Sequence, residues 1–548
     1  MKNIKIFFFA LALVLGLSAC SEKFLEHELT GSSITQEELD GLGNTMIERV
    51  RGLYALMIEY GGDHQHFGQK SIDISTDVLS GDMALANPGY GYWSSFAART
   101  AYTSGSYIWS YHYLIIANAN NIVRAFNKME RETWTPSDSL NYAETLTLRA
   151  YSYFNLGHFF SPSPSNTDPQ VYSSLITCEQ AALRENPDAI VNRHDYYVTC
   201  PIYRGEESEY NPENGLLYPK VLSGITDVYA FVLEDVDEAI ACFEGANAKG
   251  AKRESKMHVN VEVARIIGAY TALQLGRYHE NRDYYELAYN YVKPVLDAAG
   301  SEFEMLSYDK VLTTGFHDVN DRSWIWGLDV TRENSTNLAS FWGHIDIHTY
   351  SYSAAGGVLG MDQKLYEQIS ETDIRKQWFN PNGRYYYCPQ NKFYFGTMDS
   401  RHDPIATGTM NGVDRNWLSD IVFMRIEEAY LLAAEAAFRM GNNAEAKNIL
   451  SQFLVERDPT MAENLDESTL LETLYLNWRV ELWGEGRGLL TFKRFGSDMP
   501  DKMRGDNHYY YSEQVMSYAD AAVTFTLPSS EFAYNNALQP EPGDSIAN

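Results

Sequence analysis

The stretch Met424-Arg425-Ile426-Glu427-Glu428-Ala429-Tyr430-Leu431-Leu432-Ala433-Ala434-Glu435-Ala436 decides how the chain is read. From Val422 to Phe438 the apolar residues Val422, Ile426, Ala429, Tyr430, Ala433 and Ala437 recur at steps of three and four, the helical period, so one side is core. Arg425, Glu428, Glu435 and Arg439 fall on the other side, with Arg425 to Glu428 and Glu435 to Arg439 spaced to pair. Gly441-Asn442-Asn443 stops the helix, because glycine and asparagine tolerate the left-handed conformation of a helix end. Ala444 to Arg457 repeats the pattern with Ala446, Ile449, Leu450, Phe453 and Leu454 inward, and Pro459 ends it. A third helix, opened by a Thr469/Glu472 capping box, buries Leu471, Leu474, Tyr475, Trp478 and Leu482. It breaks at Gly484-Glu485-Gly486-Arg487-Gly488. No Lys-Ser or Lys-Thr follows these glycines, so they predict a helix-to-helix corner with Arg479, Glu481, Glu485 and Arg487 in internal ion pairs, and not a phosphate loop.

The hairpin at 421–457 resembles one tetratricopeptide unit, with small alanines facing a partner helix. Others are spaced irregularly along the chain. A first helix, capped by Thr35 and Glu38, runs through Val50, Leu53 and Tyr54 to Gly61-Gly62. Helices follow at about 107–129, from Pro136 through Ala143 to Phe154, at 221–243, and as a pair at 259–275 and 284–296. Gly62 to Thr100 loses the period and reads as a loop, and Ser161 to Pro219 is irregular. Ser301 to Asp420 differs in texture, with a short strand at Trp324-Ile325-Trp326 and a hairpin within Arg384 to Phe395. The expected fold is mainly α: tetratricopeptide-like helical hairpins stacked into a scaffold, carrying a loop-rich, minor-β region that binds a ligand. The mature chain, residues 20–548, is expected to be one domain. It has an N-terminal part to about 300, the loop-rich insertion at about 301–420, and a C-terminal helical part at about 421–548.

The formal net charge of −30, from 43 basic and 73 acidic residues, argues against nucleic acid or an anionic lipid surface as partner. Met1 to Lys5 is a basic leader, Ile6 to Leu17 an apolar segment too short to span a bilayer, and Leu17-Ser18-Ala19-Cys20 a cleavage site. Residues 1–19 therefore read as a signal peptide. A cysteine directly after Leu-Ser-Ala looks like a bacterial lipobox, in which Cys20 is lipidated. The other cysteines, Cys178, Cys200, Cys242 and Cys388, form no CxxC pair and show no ligand spacing to histidine, which argues against zinc. Cys178 and Cys200 are candidates for a bridge across the loop between them.

Several stretches together resemble the SusD/RagB outer-membrane lipoproteins of Gram-negative glycan-feeding bacteria. They are the lipobox with Phe24-Leu25; Ala117-Asn118-Ala119-Asn120-Asn121-Ile122; Ala143 to Phe154; Met424 to Ala436; Arg479-Val480-Glu481-Leu482 with Glu485-Gly486-Arg487; and Leu527-Pro528-Ser529-Ser530-Glu531. They span nearly the whole mature chain. One departure is Asn477-Trp478-Arg479, where the family carries Glu-Arg, so only Arg479 transfers. The resemblance implies four tetratricopeptide-like hairpins and a lipid-anchored place on the cell surface. It also implies a SusC-like TonB-dependent transporter as partner, an oligosaccharide as ligand, no cofactor and no catalysis.

Sugar rings present an apolar C–H face that matches an aromatic ring. Aromatics set between glycines and proline do not fit a helix face, so Tyr90, Tyr92 and Trp93 are candidates for a glycan platform, joined by Trp324, Trp326, Trp342 and Tyr350 from the second irregular region. Asp77, Asp82, Asn337 and Arg384 are candidate hydroxyl partners. Two other readings stand beside this one. A glycoside hydrolase or lyase would need two facing carboxylates, drawn from Asp77, Asp82, Asp329, Glu333 and Asp346. The other is capture of a peptide. His344, Asp346 and His348 alternate at a spacing open to metal ligands, but no fourth ligand is in sight, and a satisfied polar turn is expected.

Overall fold

The computed structural model describes residues 45–99, 105–165, 198–253, 255–347, 351–382, 386–393 and 419–538. Cys20, Cys178, His348, Tyr350 and Arg384 lie outside them. Contacts divide the chain into two units, Met1–Glu48 and Arg49–Asn548.

The fold is mainly α, and helices in the second unit pack each against the next. The order is Ser106–Asn127, Pro136–Phe160, Ile225–Asn247, Val261–His279, Arg282–Asp297, Ile426–Arg439 and Asn443–Val455. The start of Pro136–Phe160 is set by Pro136 at its first position and a Thr135/Asp138 capping box. Arg149 ties this helix to both neighbours: its guanidinium donates to Asp235 at 2.7 and 2.8 Å and to Asn120 Oδ1 at 2.7 Å. Gly276 sets the next approach, since a Cβ there would lie 2.3 Å from the Tyr285 ring.

The expected helix over Val422 to Phe438 is corrected at its start. Ile421–Arg425 is a strand, paired antiparallel with Trp324–Leu328, and the helix runs Ile426–Arg439. The four β-branched and aromatic or flexible apolar side chains of Ile421 to Met424 are buried, as a two-sided strand requires. Pro459, expected only to end a helix, also opens a short one at Pro459–Asn464. Thr469 precedes the helix Leu470–Glu481 but makes no side-chain cap bond. The expected loop over Gly62 to Thr100 is also corrected: it contains the helix Gln69–Ser80 and the strand Met83–Pro88. In the expected hairpin region Cys388–Pro389 pairs with Phe379–Asn380; Tyr385, Tyr394 and Phe395 of the expected hairpin lie outside the described residues. Cys200 is a free, buried thiol whose pKa burial pushes up to about 12.

The charged side of the 421–495 region is inside the protein, a further correction. Arg375, Lys392, Arg425 and Arg457 meet Asp373, Glu427, Glu481 and Glu485 in one buried cluster, four cations against four carboxylates. Arg479, Glu481, Glu485 and Arg487 are internal and paired as expected, though not with one another: Arg479 holds Asp82 and Arg487 holds Glu428. The glycines of the corner serve this packing. Gly484 and Gly486 are left-handed, at φ 78° and 79°, and the N–H groups of Gly484, Gly486 and Gly488 all donate to the Asp77 carboxylate.

Candidate ligand-binding surface

Two strands carry the irregular segments to one place. Met83–Pro88 pairs antiparallel with Gly357–Met361, Pro88 opposite Gly357, so the segment leaving the first strand meets the segment entering the second. Gly89 allows this, because it is left-handed at φ 47° and a Cβ would lie 2.5 Å from Gly357 N. Gly91 and Trp93 are left-handed too, at φ 86° and 62°. A tryptophan in that conformation is strained unless the surroundings hold it. Here they do. The Trp93 amide donates to Gln65 Oε1 at 2.7 Å, and its indole Nε1 donates to His344 Nδ1 at 3.2 Å.

That bond fixes the state of His344. Indole N–H only donates, so Nδ1 accepts, and Nε2 carries the proton it gives to the His64 carbonyl at 2.8 Å. Burial lowers the His344 pKa to about 4, so the ring is neutral at physiological pH. Both nitrogens of His344, on the helix Phe341–Ile345, are committed to the protein.

Around this buried pair lies a cluster of rings from three segments. Tyr92, half-buried, stacks parallel to His64 with centroids 6.3 Å apart, meets Tyr352 edge-on at 4.8 Å and lies 6.2 Å from Tyr90. Tyr352 stacks on His344 at 4.8 Å, and its hydroxyl bonds to His64 Nδ1. Tyr90 is 58% exposed and Tyr60, edge-on to His64, is 46% exposed. The outer rings thus face water and the inner ones fix them.

The structure brings together only some of the sequence candidates. Tyr90 and Tyr92 share the cluster, and Trp93 sits beneath it, buried. Trp324, Trp326 and Trp342 are corrections, since all three are core residues. Trp324 Nε1 donates to Gly315 O at 2.6 Å and Trp342 Nε1 to Ser419 O at 2.8 Å, while Trp326 packs against Phe423 and Tyr151. Their ring faces meet protein, leaving none for a sugar. Asp77 and Asp82 are corrections as well. Asp77 is fully buried on the corner glycines, and burial lifts its pKa to about 7 against their N–H bonds. Asp82 accepts from Arg479 and Lys502; burial opposes its charge, but the two cations hold its pKa below the usual range. Asn337 is exposed and left-handed at φ 52°, in the turn before the helix Phe341–Ile345. Tyr60, His64 and Tyr352 were not among the candidates. The signal for one of them was present: Tyr60 directly precedes Gly61-Gly62, the same aromatic-beside-glycine pattern that singles out Tyr90.

Residues 325–542 match the model of the SusD family. That stretch, less than half of the chain, is similar to the SusD family. No functionally curated protein matches it in sequence. Among solved structures, a SusD-like carbohydrate binding protein from Bacteroides vulgatus aligns with a TM-score of 0.65 at 20% identity, covering 90% of this chain and 96% of that one. A SusD superfamily protein from Bacteroides thetaiotaomicron aligns at 0.64 and 19%, covering 92% and 99%. Surface glycan-binding protein A from Bacteroides uniformis aligns at 0.60 and 15%, covering 90% and 98%. At these identities the likeness establishes the SusD fold. Among the described residues no helix is long and apolar enough to cross a membrane.

Proposed function

We propose that this chain is a SusD-family cell-surface lipoprotein that binds oligosaccharide and passes it to a TonB-dependent outer-membrane transporter. The observation that carries the binding reading is the ring cluster of Tyr60, Tyr90, Tyr92 and Tyr352, whose outer members are exposed on a backbone held by buried hydrogen bonds. Flat rings fixed in advance bind sugar faces with little loss of side-chain freedom. Several fold neighbours are described as glycan- or carbohydrate-binding proteins, which supports the same reading. In this reading residues 1–19 are removed, Cys20 carries the lipid, and residues 20–548 act as one domain with the helical hairpins toward the transporter. Binding without catalysis is favoured because Asp77 and Asp82, two acids a hydrolase would draw on, are committed to glycine N–H groups and to Arg479 and Lys502.

A glycan array followed by calorimetry with the best neutral oligosaccharide tests the binding step. Tyr90→Ala and Tyr92→Ala should each weaken it. Equal affinity in both folded variants would place the binding surface elsewhere, and turnover of the glycan would overturn the reading of binding alone. Recovery of the protein from native membranes without any transporter would count against the delivery step.

A further inference from the structure

Buried arginines in this protein are neutralised as a rule. Arg425, Arg457, Arg479, Arg487 and Arg494 each face a carboxylate within 3.0 Å. Arg504 breaks the rule. It is 1% exposed, and its Nη1 donates to two carbonyls, Ala97 O at 3.1 Å and Tyr510 O at 3.2 Å, while Nε and Nη2 have no partner. No carboxylate among the described residues pairs with it. Burial and the neighbouring Arg99 pull its pKa down, but only to about 10, so it stays charged. A buried cation without a counter-ion is costly, and folded proteins seldom leave one.

Arg504 lines a cavity of about 360 Å³ together with Arg99, Tyr511, Gln514 and Asp520. Arg99 gives Nη2 to Asp520 at 2.6 Å and also has an unpartnered Nε. Of the residues lining the cavity Arg99 and Arg504 are cationic and Asp520 alone is anionic, while the Asp362 carboxylate acts on Arg504 from outside the lining; this balance suits a monoanion better than a phosphate monoester. The volume suits a single small ligand unit. Tyr511, 48% exposed, adds a ring at the wall. In a chain of formal net charge −30 such a site is a local exception, so an anion that reaches it is held by these groups and not by the general field.

We propose that this cavity binds the carboxylate of an acidic sugar unit, with Arg504 and Arg99 as its donors and Tyr511 against the ring. The sugar part rests on the oligosaccharide reading above; the anion site does not. The cavity adjoins the ring cluster along the chain: the helix Ser94–Ala97 follows Trp93 directly, its last residue gives its carbonyl to Arg504, and Arg99 follows two residues later. An acidic oligosaccharide is therefore the ligand class.

The test titrates the whole mature protein with sodium glucuronate, glucose and sulfate in a calorimeter. Saturable glucuronate binding is expected, with none for glucose. Arg504→Met and Arg99→Met should each weaken it about ten- to a hundredfold, and Glu207→Gln, at an exposed position paired with Arg124, should leave it unchanged. Because Arg504 is buried, Arg99→Met and Tyr511→Ala, checked for folding by circular dichroism, carry the result if Arg504→Met does not fold. Absence of saturable glucuronate binding, or equal affinity in Arg99→Met, overturns the proposal. Sulfate binding tighter than glucuronate overturns the sugar class. Failure of neutral glycans to respond to Tyr90→Ala is a separate outcome that bears on the ring cluster and not on this cavity.

Discussion

Glu481 is the keystone of the buried charge cluster, and Glu481→Gln is the substitution that tests it. Its carboxylate accepts from Arg457 at 2.9 and 3.0 Å, from Arg425 at 3.1 Å and from Arg375 at 3.2 Å. Burial raises the cost of its charge, but the Arg457 and Arg425 guanidiniums overcome this and hold its pKa well below the usual carboxylate range. With four cations and four carboxylates the cluster is neutral; glutamine leaves it one positive charge in excess, with a side-chain N–H₂ pointed at donors. Breaking a buried pair from one side costs about 3–5 kcal/mol, a large part of the roughly 5–15 kcal/mol that holds a domain folded. With a urea slope above about 3 kcal/mol/M for a chain of this size, the midpoint should fall by on the order of 1 M. Tryptophan fluorescence reports it, since Trp478 and Trp483 flank Glu481. The pH dependence gives the sign. A carboxyl with a depressed folded pKa stabilises fully above the unfolded value of about 4.3 and loses that stabilisation as pH falls through the folded value. The gap between parent and Glu481→Gln should thus be constant from neutral pH down to about 5 and narrow below about 4. Glu207→Gln, which removes an exposed partner of Arg124, should leave the midpoint unmoved. A Glu481→Gln protein unfolding at the parent's midpoint, or a gap indifferent to acid, would refute the argument.

Tyr92→Ala removes the ring at the centre of the exposed cluster and should weaken binding of a neutral oligosaccharide about two- to tenfold, measured by calorimetry. Gly486→Ala places a Cβ 2.5 Å from Asp73 Oδ1 at φ 79° and should cost roughly 1–3 kcal/mol in urea unfolding, whereas Gly91→Ala, left-handed but with nothing within 4 Å, should cost less. Trp93→Phe leaves His344 Nδ1 without its donor and should destabilise by about 1–3 kcal/mol in the same assay. Cys20→Ala should move the protein from the membrane fraction to the soluble fraction, and its retention in membranes would count against a lipid anchor.

The parts of the fold that could be read from sequence are those with a contrast between core and water. Arg282–Asp297 buries Tyr285, Ala288, Tyr291, Val292 and Val295 on one side only, and the expected span at 284–296 falls within it. The helix Gln69–Ser80 escaped because all twelve of its residues are buried. Gln69, Lys70, Asp73 and Asp77 read as a solvated loop, whereas they are inside and bonded to protein, Asp77 to glycines some four hundred positions away. The same cause misplaced Arg425, Glu428 and Glu435, which a helical wheel assigns to solvent. Periodicity registers where water is. It cannot register a polar group whose partner arrives from a distant segment, because that pairing is a property of the assembled fold.

The ring cluster obeys the same logic: Trp324, Trp326 and Trp342 are core residues, whereas Tyr90 and Tyr92 come together outside the core. An aromatic between glycines is held by an irregular backbone, and such a backbone persists only where something inside over-determines it. Trp93 is that interior element. Its left-handed φ turns the indole down onto His344, whose other nitrogen reaches the His64 carbonyl, so one buried bond chain links the segments that carry Tyr60, Tyr90 and Tyr352. Beneath it, the Asp82 carbonyl accepts from Trp483 Nε1 and from the Asp362 amide, while the Asp82 carboxylate holds Arg479 and Lys502. The strand Met83–Pro88 thus leaves a fixed point in the charge-paired scaffold before it delivers the tyrosines. Rings presented this way lose little freedom on meeting a ligand, so under the proposed function the buried ion pairs serve binding as well as stability.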